Sequence, residues 1–320
     1  MRVSVIIRTL NEERYLGDLL ESIQRQNLDY FEVETIVVDS GSTDKTLAIA
    51  GIHGCRVIHI SKSEFSFGRS LNIGCDAARG DILLIVSGHC IPTSKDWLRT
   101  ICAPLEEGIV EYAYGRQIGG NGSYFSEKET FNAYYPNVSR IPQQGFFCNN
   151  ANSAILRKTW EKYRFDEDLT GLEDMELAQR LYRDGGKIGY VAEACVVHHH
   201  SELWRQVKRR YEREAIALRL IMPHIHIRIR DLIRYILRST ANDWKKARNQ
   251  KVLIKEMFDI VRYRTCQYFG SYLGNKEHRI ISDAEKDKYF YPDHSRHIEE
   301  EENGIKKYEN HRVAANEGEQ

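Results

Sequence analysis

Two adjacent carboxylates, Glu173-Asp174, follow Gly171-Leu172 and precede Met175-Glu176-Leu177. Leu177, Leu181 and Tyr182 then recur at helical spacing, so the acids open a helix. The helix dipole stabilises an anion there, and that alone accounts for their position. The chemical reading makes one of them a general base, which must reach an acceptor proton directly or through one water. A second cluster, Ser87-Gly88-His89, lies just beyond the apolar run 82–86, where open α/β sheets bind ligands; a nucleotide's phosphates would lie here. A third is His198-His199-His200, in which His198 and His200 share a side if the segment is extended. Asn149, Asn150 and Asn152 bring three amides together. Asn150 and Asn152 are candidates to bind a polar acceptor, and tying the loop backbone is the alternative. Asp39 ends an apolar run, where its carboxylate would face the same rim and accept from a base edge or ribose; a helix cap is the competing reading.

These residues need a frame. Residues 3–7, 33–38, 57–60 and 82–86 are short β-branched or aliphatic runs. Between them, Leu16, Leu19, Leu20 and Ile23, then 45–50, then 68–79 read as helices, the last stopped by Gly80. Strand–helix alternation at this spacing predicts βαβ units and a mostly parallel, doubly wound sheet. Right-handed crossovers put the strand ends along one rim. Further helices are expected over 97–105 and from 158, and strands over 110–117 and 188–191. Residues 119–144, polar and aromatic, read as a long acceptor-binding loop or as a helix packing its rings inward.

The run Val5-Ile6-Ile7-Arg8-Thr9-Leu10-Asn11-Glu12, then Val37-Val38-Asp39-Ser40-Gly41-Ser42-Thr43-Asp44, then Leu71-Asn72-Ile73-Gly74 through Arg79-Gly80-Asp81, and finally Gly171-Leu172-Glu173-Asp174 resemble family 2 glycosyltransferases of the GT-A fold. The resemblance covers roughly residues 1–220, with the motifs in family order. It implies an inverting transfer of a sugar from a nucleotide-sugar donor to a hydroxyl of a glycan or lipid-linked acceptor, as in surface polysaccharide synthesis. It places Thr9 and Glu12 at the nucleotide pocket, Asp39 on the base, and Arg69 and Asn72 near the base or diphosphate. It makes Asp174 the base, with Glu173 positioning it or holding the donor sugar. The family's Asp-x-Asp, which binds a divalent metal, is replaced here by Ser87-Gly88-His89. Mg²⁺ wants hard oxygen ligands, whereas imidazole suits Mn²⁺ or a later transition metal. The expectation is a divalent metal, Mn or Mg, held by His89 and a distant histidine, His198; arginines and protonated histidine on the phosphates are the metal-free alternative. An inactive binding or scaffold relative and a nucleotidyltransferase are the rival functions. No Gly-x-Gly-x-x-Gly follows the first strand, which argues against a nicotinamide dehydrogenase.

Composition narrows the class. Forty-six Lys and Arg balance 46 Asp and Glu, so net charge does not point to nucleic acid. Seven scattered cysteines fit free thiols in a reducing cytoplasm. No apolar stretch reaches the roughly 18–20 residues a spanning helix needs, and the first residues lack a signal-peptide layout. The expected organisation is a nucleotide-sugar-binding half (1–95), an acceptor-binding and catalytic half (96–200), a basic amphipathic helical extension (201–281) and a polar tail (282–320). Residues 201–251 carry 14 Lys and Arg against five Asp and Glu. Such helices read as peripheral membrane elements or as faces packed on the catalytic domain or on a second subunit.

Overall fold

The computed structural model describes residues 1–28 and 31–276. The expected tail, with Tyr289, Phe290 and Tyr291, lies outside the described residues. In chain order the elements are β1 (Arg2–Thr9), α1 (Leu16–Gln24), β2 (Glu32–Asp39), α2 (Thr46–Ile52), β3 (Arg56–His59), α3 (Phe67–Ala77), β4 (Ile82–Ser87), β5 (Cys90–Pro92), α4 (Trp97–Glu106), β6 (Tyr112–Gly119), α5 (Phe125–Tyr134), β7 (Asn152–Leu156), α6 (Arg157–Tyr163), α7 (Glu173–Arg183), β8 (Ile188–His198), α8 (Trp204–Ile221), α9 (Ile229–Asn249) and α10 (Leu253–Lys276). Residues 1–276 form one unit, and its strands lie on both sides of residue 95, the last described one ending at His198.

The sheet has eight strands in the order β3-β2-β1-β4-β7-β6-β8-β5. Its first four strands run parallel, β7 is antiparallel to both neighbours, and β6 and β8 are again parallel. The alternation of β4 explains why its whole run is apolar. Ile82, Leu84 and Val86 join Leu16, Leu19 and Trp97 on one face; Leu83 and Ile85 join Leu71, Trp160 and Leu177 on the other. Burying each such side chain contributes about 1.5–3 kcal/mol.

Register builds the rim. Thr9 pairs with Asp39, Arg8 with Ser87, and Cys90 with His198. The strand ends of β1, β2 and β4 and the start of β5 therefore converge with the far end of β8.

Two local expectations change. Gly80 does not cap α3, which ends at Ala77 with Ala78 extended. A Cβ on Gly80 would lie 2.5 Å from the Ser4 nitrogen, so this glycine lets the chain press against β1. Residues 119–144 are not one long loop: α5 occupies their middle, with Phe131 and Tyr135 buried and Tyr134 exposed.

The helical extension packs on the catalytic body through buried polar contacts. The Arg264 Nε of α10 donates to Asp243 Oδ2 of α9 at 2.7 Å, and Ser126 of α5 donates to the same oxygen at 2.7 Å. Gly270 and Gly274 let α10 lie directly on α8, where a Cβ would come 2.3 Å from the Lys208 carbonyl oxygen and 2.1 Å from that of Glu212. Among the described residues, no helix is long and apolar enough to cross a membrane.

Candidate active site

Three histidines meet at the rim. His89 follows β4, His198 ends β8, and His200 lies two residues on; one nitrogen from each lies within 4.8 Å of the others. Each ring is fixed through Nδ1 by an oxygen 2.7 Å away: Glu12 Oε1 for His89, Gln117 Oε1 for His198 and Glu127 Oε1 for His200. Gln117 is oriented in turn, because its Nε2 donates to Asn149 Oδ1 at 2.9 Å. An Nδ1–H directed at an oxygen leaves the Nε2 lone pair free, which is how metal-binding imidazoles are held. His198 Nε2 is buried without a hydrogen-bond partner. Gly88 makes room for this arrangement: a Cβ there would come 3.0 Å from the Glu12 side chain.

The electrostatics differ across the cluster. Burial disfavours a charged His89, but the Glu12 carboxylate overcomes it and raises the His89 pKa. Burial and the neighbouring His200 and His89 push His198 well below the usual imidazole value, so it is neutral. Burial opposes ionisation of Glu127, yet His200 and Arg210 pull its pKa down to about 2. Glu127 is thereby committed to an ion pair, with Arg210 Nη2 also 2.7 Å away.

The donor set fits a divalent transition metal. Three imidazoles, each backed by an oxygen, suit Mn²⁺, Co²⁺ or Zn²⁺, whereas Mg²⁺ would find none of its preferred oxygen ligands among them.

The paired acids stand at the head of α7, after Leu172 in the left-handed region (φ 59°). The Asn150 N–H donates to Asp174 Oδ2 at 2.8 Å, and the Met175 N–H donates to Oδ1 at 2.7 Å. Burial and the adjacent Glu173 charge push the Asp174 pKa up to about 7, against these hydrogen bonds and the Arg8 charge. Arg8 Nη1 lies 3.6 Å from Glu173 Oε1 and has no hydrogen-bond partner of its own. Its guanidinium rests on the Phe67 ring, 4.7 Å from the centroid, and Arg213 of α8 rests on the same ring at 4.5 Å.

Asp39 is fully buried rather than turned to an open rim. Its carboxylate accepts from Thr9 Oγ1 (3.0 Å), the Gly41 N–H (2.9 Å), the Ser42 N–H (3.0 Å) and Ser42 Oγ. These contacts tie the loop after β2 to the end of β1; the cap position of α2 is Lys45, so Asp39 is not its helix cap. Asn11 Oδ1 accepts the Thr43 N–H at 2.8 Å, lacing the same two loops together.

Two other assigned side chains have their hydrogen-bonding groups taken up within the protein. Asn72 is not open to a donor: Nδ2 donates to the Phe165 carbonyl oxygen (2.9 Å) and Glu167 (2.8 Å), and Oδ1 accepts from Trp160 Nε1 and the Phe165 N–H (both 3.1 Å). Asn152 is not open to an acceptor: it is fully buried, taking the Trp97 indole N–H at 3.0 Å and donating to the carbonyls of Arg116 and Ala194. Arg69 is exposed at the first turn of α3, 3.6 Å from Glu64. Asn150 has one group to offer, since Oδ1 takes Tyr112 and Ser153 hydroxyls while Nδ2 is buried without a partner. Ser87 closes β4 beside Arg8.

Sequence reading missed Arg8, Gln117, Glu127, His200 as a ligand, and Arg213. Arg8 sits inside a quoted motif, next to Thr9, and was legible as a strand-end cation. Gln117 and Glu127 carry no local signal, because their partners lie some 70–80 residues on.

A rim of parallel strand ends, with paired acids opening a later helix, defines the GT-A class of sugar-transfer enzymes. The chain belongs to glycosyl transferase family 2, whose family model matches residues 4–164. It is 24% identical over 223 residues to the O-antigen chain rhamnosyltransferase RfbN of Salmonella typhimurium, covering 66% of this chain and 70% of that protein. It is 30% identical over 191 residues to the O-antigen chain rhamnosyltransferase WbaN of Salmonella anatum, covering 56% of this chain and 60% of that one. In fold it is similar to the mannosyltransferase PcManGT from Pyrobaculum calidifontis, solved in complex with GDP-Man and Mn²⁺: TM-score 0.57, 16% identity, 91% of this chain and 87% of that one. Staphylococcus aureus TarS 1–349, solved in complex with UDP-GlcNAc, is similar with a TM-score of 0.50 and 19% identity over 87% of this chain and 93% of that one.

Proposed function

We propose that this glycosyltransferase inverts the sugar it transfers, with Asp174 as the base. The acceptor hydroxyl gives its proton to Asp174 as its oxygen bonds to the anomeric carbon. The bond from that carbon to the nucleotide phosphate breaks on the opposite face, and its electron pair leaves with the nucleoside diphosphate. A single displacement of this kind inverts the anomeric centre. The observation that carries the reading is Asp174 itself: a carboxylate poised near neutral pH and fixed by a backbone N–H. A base works best when its pKa lies near the operating pH.

Supporting roles follow from contacts. Arg8 lies against Glu173 beside Asp174 and brings positive charge to where the leaving phosphate becomes more negative. Thr9, Glu12, Asp39 and Ser87 form the donor side, with Asp39 shaping the loop against which the nucleotide lies. Asn150 Nδ2 is the donor available to the acceptor. His89, His198 and His200 would hold a divalent metal, which supplies neutralisation of the diphosphate when bound. The names of the relatives support a glycan or lipid-linked acceptor in surface polysaccharide synthesis.

A thermal-shift panel of UDP-, GDP-, dTDP- and CDP-sugars identifies the donor, because a matching ligand raises the melting temperature by mass action. With that donor, NMR of the product should show the opposite anomeric configuration. Retention would overturn the single-displacement mechanism.

A further inference from the structure

The face made by α9 and α10 has a composition that the transfer reaction does not use. Along α10, Ile254, Phe258, Val261 and Phe269 are spaced at 4, 7 and 15 residues from the first, so they share one side of the helix. All four are exposed, Ile254 by 90% and Phe258 by 78%. The opposite side carries Ile260, Tyr263, Gln267, Gly270 and Gly274, which are buried. On α9, Ile229, Ile233 and Leu237 repeat every fourth residue and are also exposed. Trp244 joins the two helices, its indole N–H donating to the Met257 carbonyl at 3.1 Å while the ring stays 37% exposed. A stable body gains nothing by leaving these side chains in water, and exposed apolar groups gathered on two neighbouring helices point to an interaction site.

Charge decides among partners. Residues 228–262 contain ten Lys and Arg against four Asp and Glu. Asp243 is buried against Arg264, and only Asp259 of the four is exposed. On α9, Arg230, Arg234 and Arg238 follow the apolar stripe one position on, so basic and apolar bands run side by side. At the head of α9, His224, His226, Arg228, Arg230 and Arg234 line an open cleft of about 510 Å³, accompanied by Asp231. A second copy of the chain would bring an identical cationic face against this one, and like charges would oppose that contact. An apolar band flanked by cations, with a cationic cleft, matches an anionic bilayer: acyl chains for the aliphatic and aromatic groups, phosphate headgroups for the arginines.

We propose that the α9–α10 face docks peripherally on anionic phospholipid membranes. Docking would orient the catalytic rim, because α5 links the two regions. Lys246 Nζ of α9 lies 2.6 Å from Glu129 Oε2 of α5, and Glu127 on the same helix backs His200. The proposal stands apart from the identity of the base, since it needs no turnover to test.

The test uses the full chain with sucrose-loaded vesicles. One set is phosphatidylcholine alone; the other contains 40 mol% (about two-fifths, in the anionic range that attracts basic segments) phosphatidylglycerol. Expected is sedimentation with the anionic vesicles and at least about tenfold weaker partition to the neutral ones, reversed by high salt. Arg230→Glu with Arg234→Glu should weaken anionic partition by about tenfold or more, as should Ile254→Ser with Phe258→Ser. Far-UV circular dichroism and melting temperature check that these surface variants fold. Equal partition to both vesicles, or no partition to either, overturns the proposal. So does a dimer in analytical ultracentrifugation that Ile254→Ser with Phe258→Ser dissociates, which would assign the face to a second copy.

Discussion

The Asn150 N–H donates to Asp174 Oδ2 at 2.8 Å, so the acid at the head of α7 is held from the loop entering β7. That bond joins the amide-rich segment to the paired acids across 24 residues of sequence. It fixes where the carboxylate points, while burial and Glu173 decide when it is ionised.

The pH dependence follows with a definite sign. An acid whose pKa is raised to about 7 is protonated below that value and cannot serve as a base there. The logarithm of kcat/KM should rise with pH at a slope of about one and level off near pH 7. Glu173→Gln removes a negative neighbour and should move the limb to lower pH. Arg8→Gln removes a positive one and should move it higher. A profile that is flat from pH 5 to 8 and unchanged by either substitution would contradict the assignment.

Metal dependence tests the histidine cluster. Excess chelator should lower transfer at least about tenfold, and Mn²⁺ or Co²⁺ should restore it better than Mg²⁺. Gln117→Leu leaves all three histidines but removes the acceptor that orients His198. It should weaken Co²⁺ binding, read from the visible spectrum of the Co²⁺ complex, by about 10–100-fold. Full activity in chelator, with no Co²⁺ spectrum, would end the metal proposal and leave the base assignment standing.

Asn72 separates structure from ligand binding. Asn72→Ala strands the Trp160 indole N–H and the Phe165 N–H in a buried place. Each lost partner costs about 1–3 kcal/mol, so urea denaturation should show a loss of about 2–6 kcal/mol. Nucleotide affinity of the folded variant should be unchanged. A variant of normal stability with weakened nucleotide binding would return Asn72 to the donor pocket.

The frame was legible because it rests on local patterns. The β4 run is apolar at every position since both its faces are buried, and that alone marks a central strand. Asp39, Ser87 and His89 fall at strand ends, so strand–helix alternation was enough to put them on one rim. The amides were not legible in the same way. Asn72, Asn150 and Asn152 look alike in sequence, and only distant partners decide which has a free donor: Phe165 and Glu167 take the amide hydrogens of the first, Arg116 and Ala194 those of the third, while the Nδ2 of Asn150 has no partner. The third histidine was half legible, since extended geometry puts His198 and His200 on one side. The oxygens that aim them come from β6 and α5, and no local pattern announces such pairings.

The most direct test of the account is single-turnover transfer by Asp174→Asn, with the matched donor and acceptor, beside donor binding by calorimetry. Asparagine keeps the shape and an acceptor for the Asn150 N–H but cannot take a proton. The account predicts a rate lower by about 10²–10⁴-fold, with donor affinity within about threefold of the parent. Transfer at a near-parental rate, with the fold and the donor site intact, would contradict it.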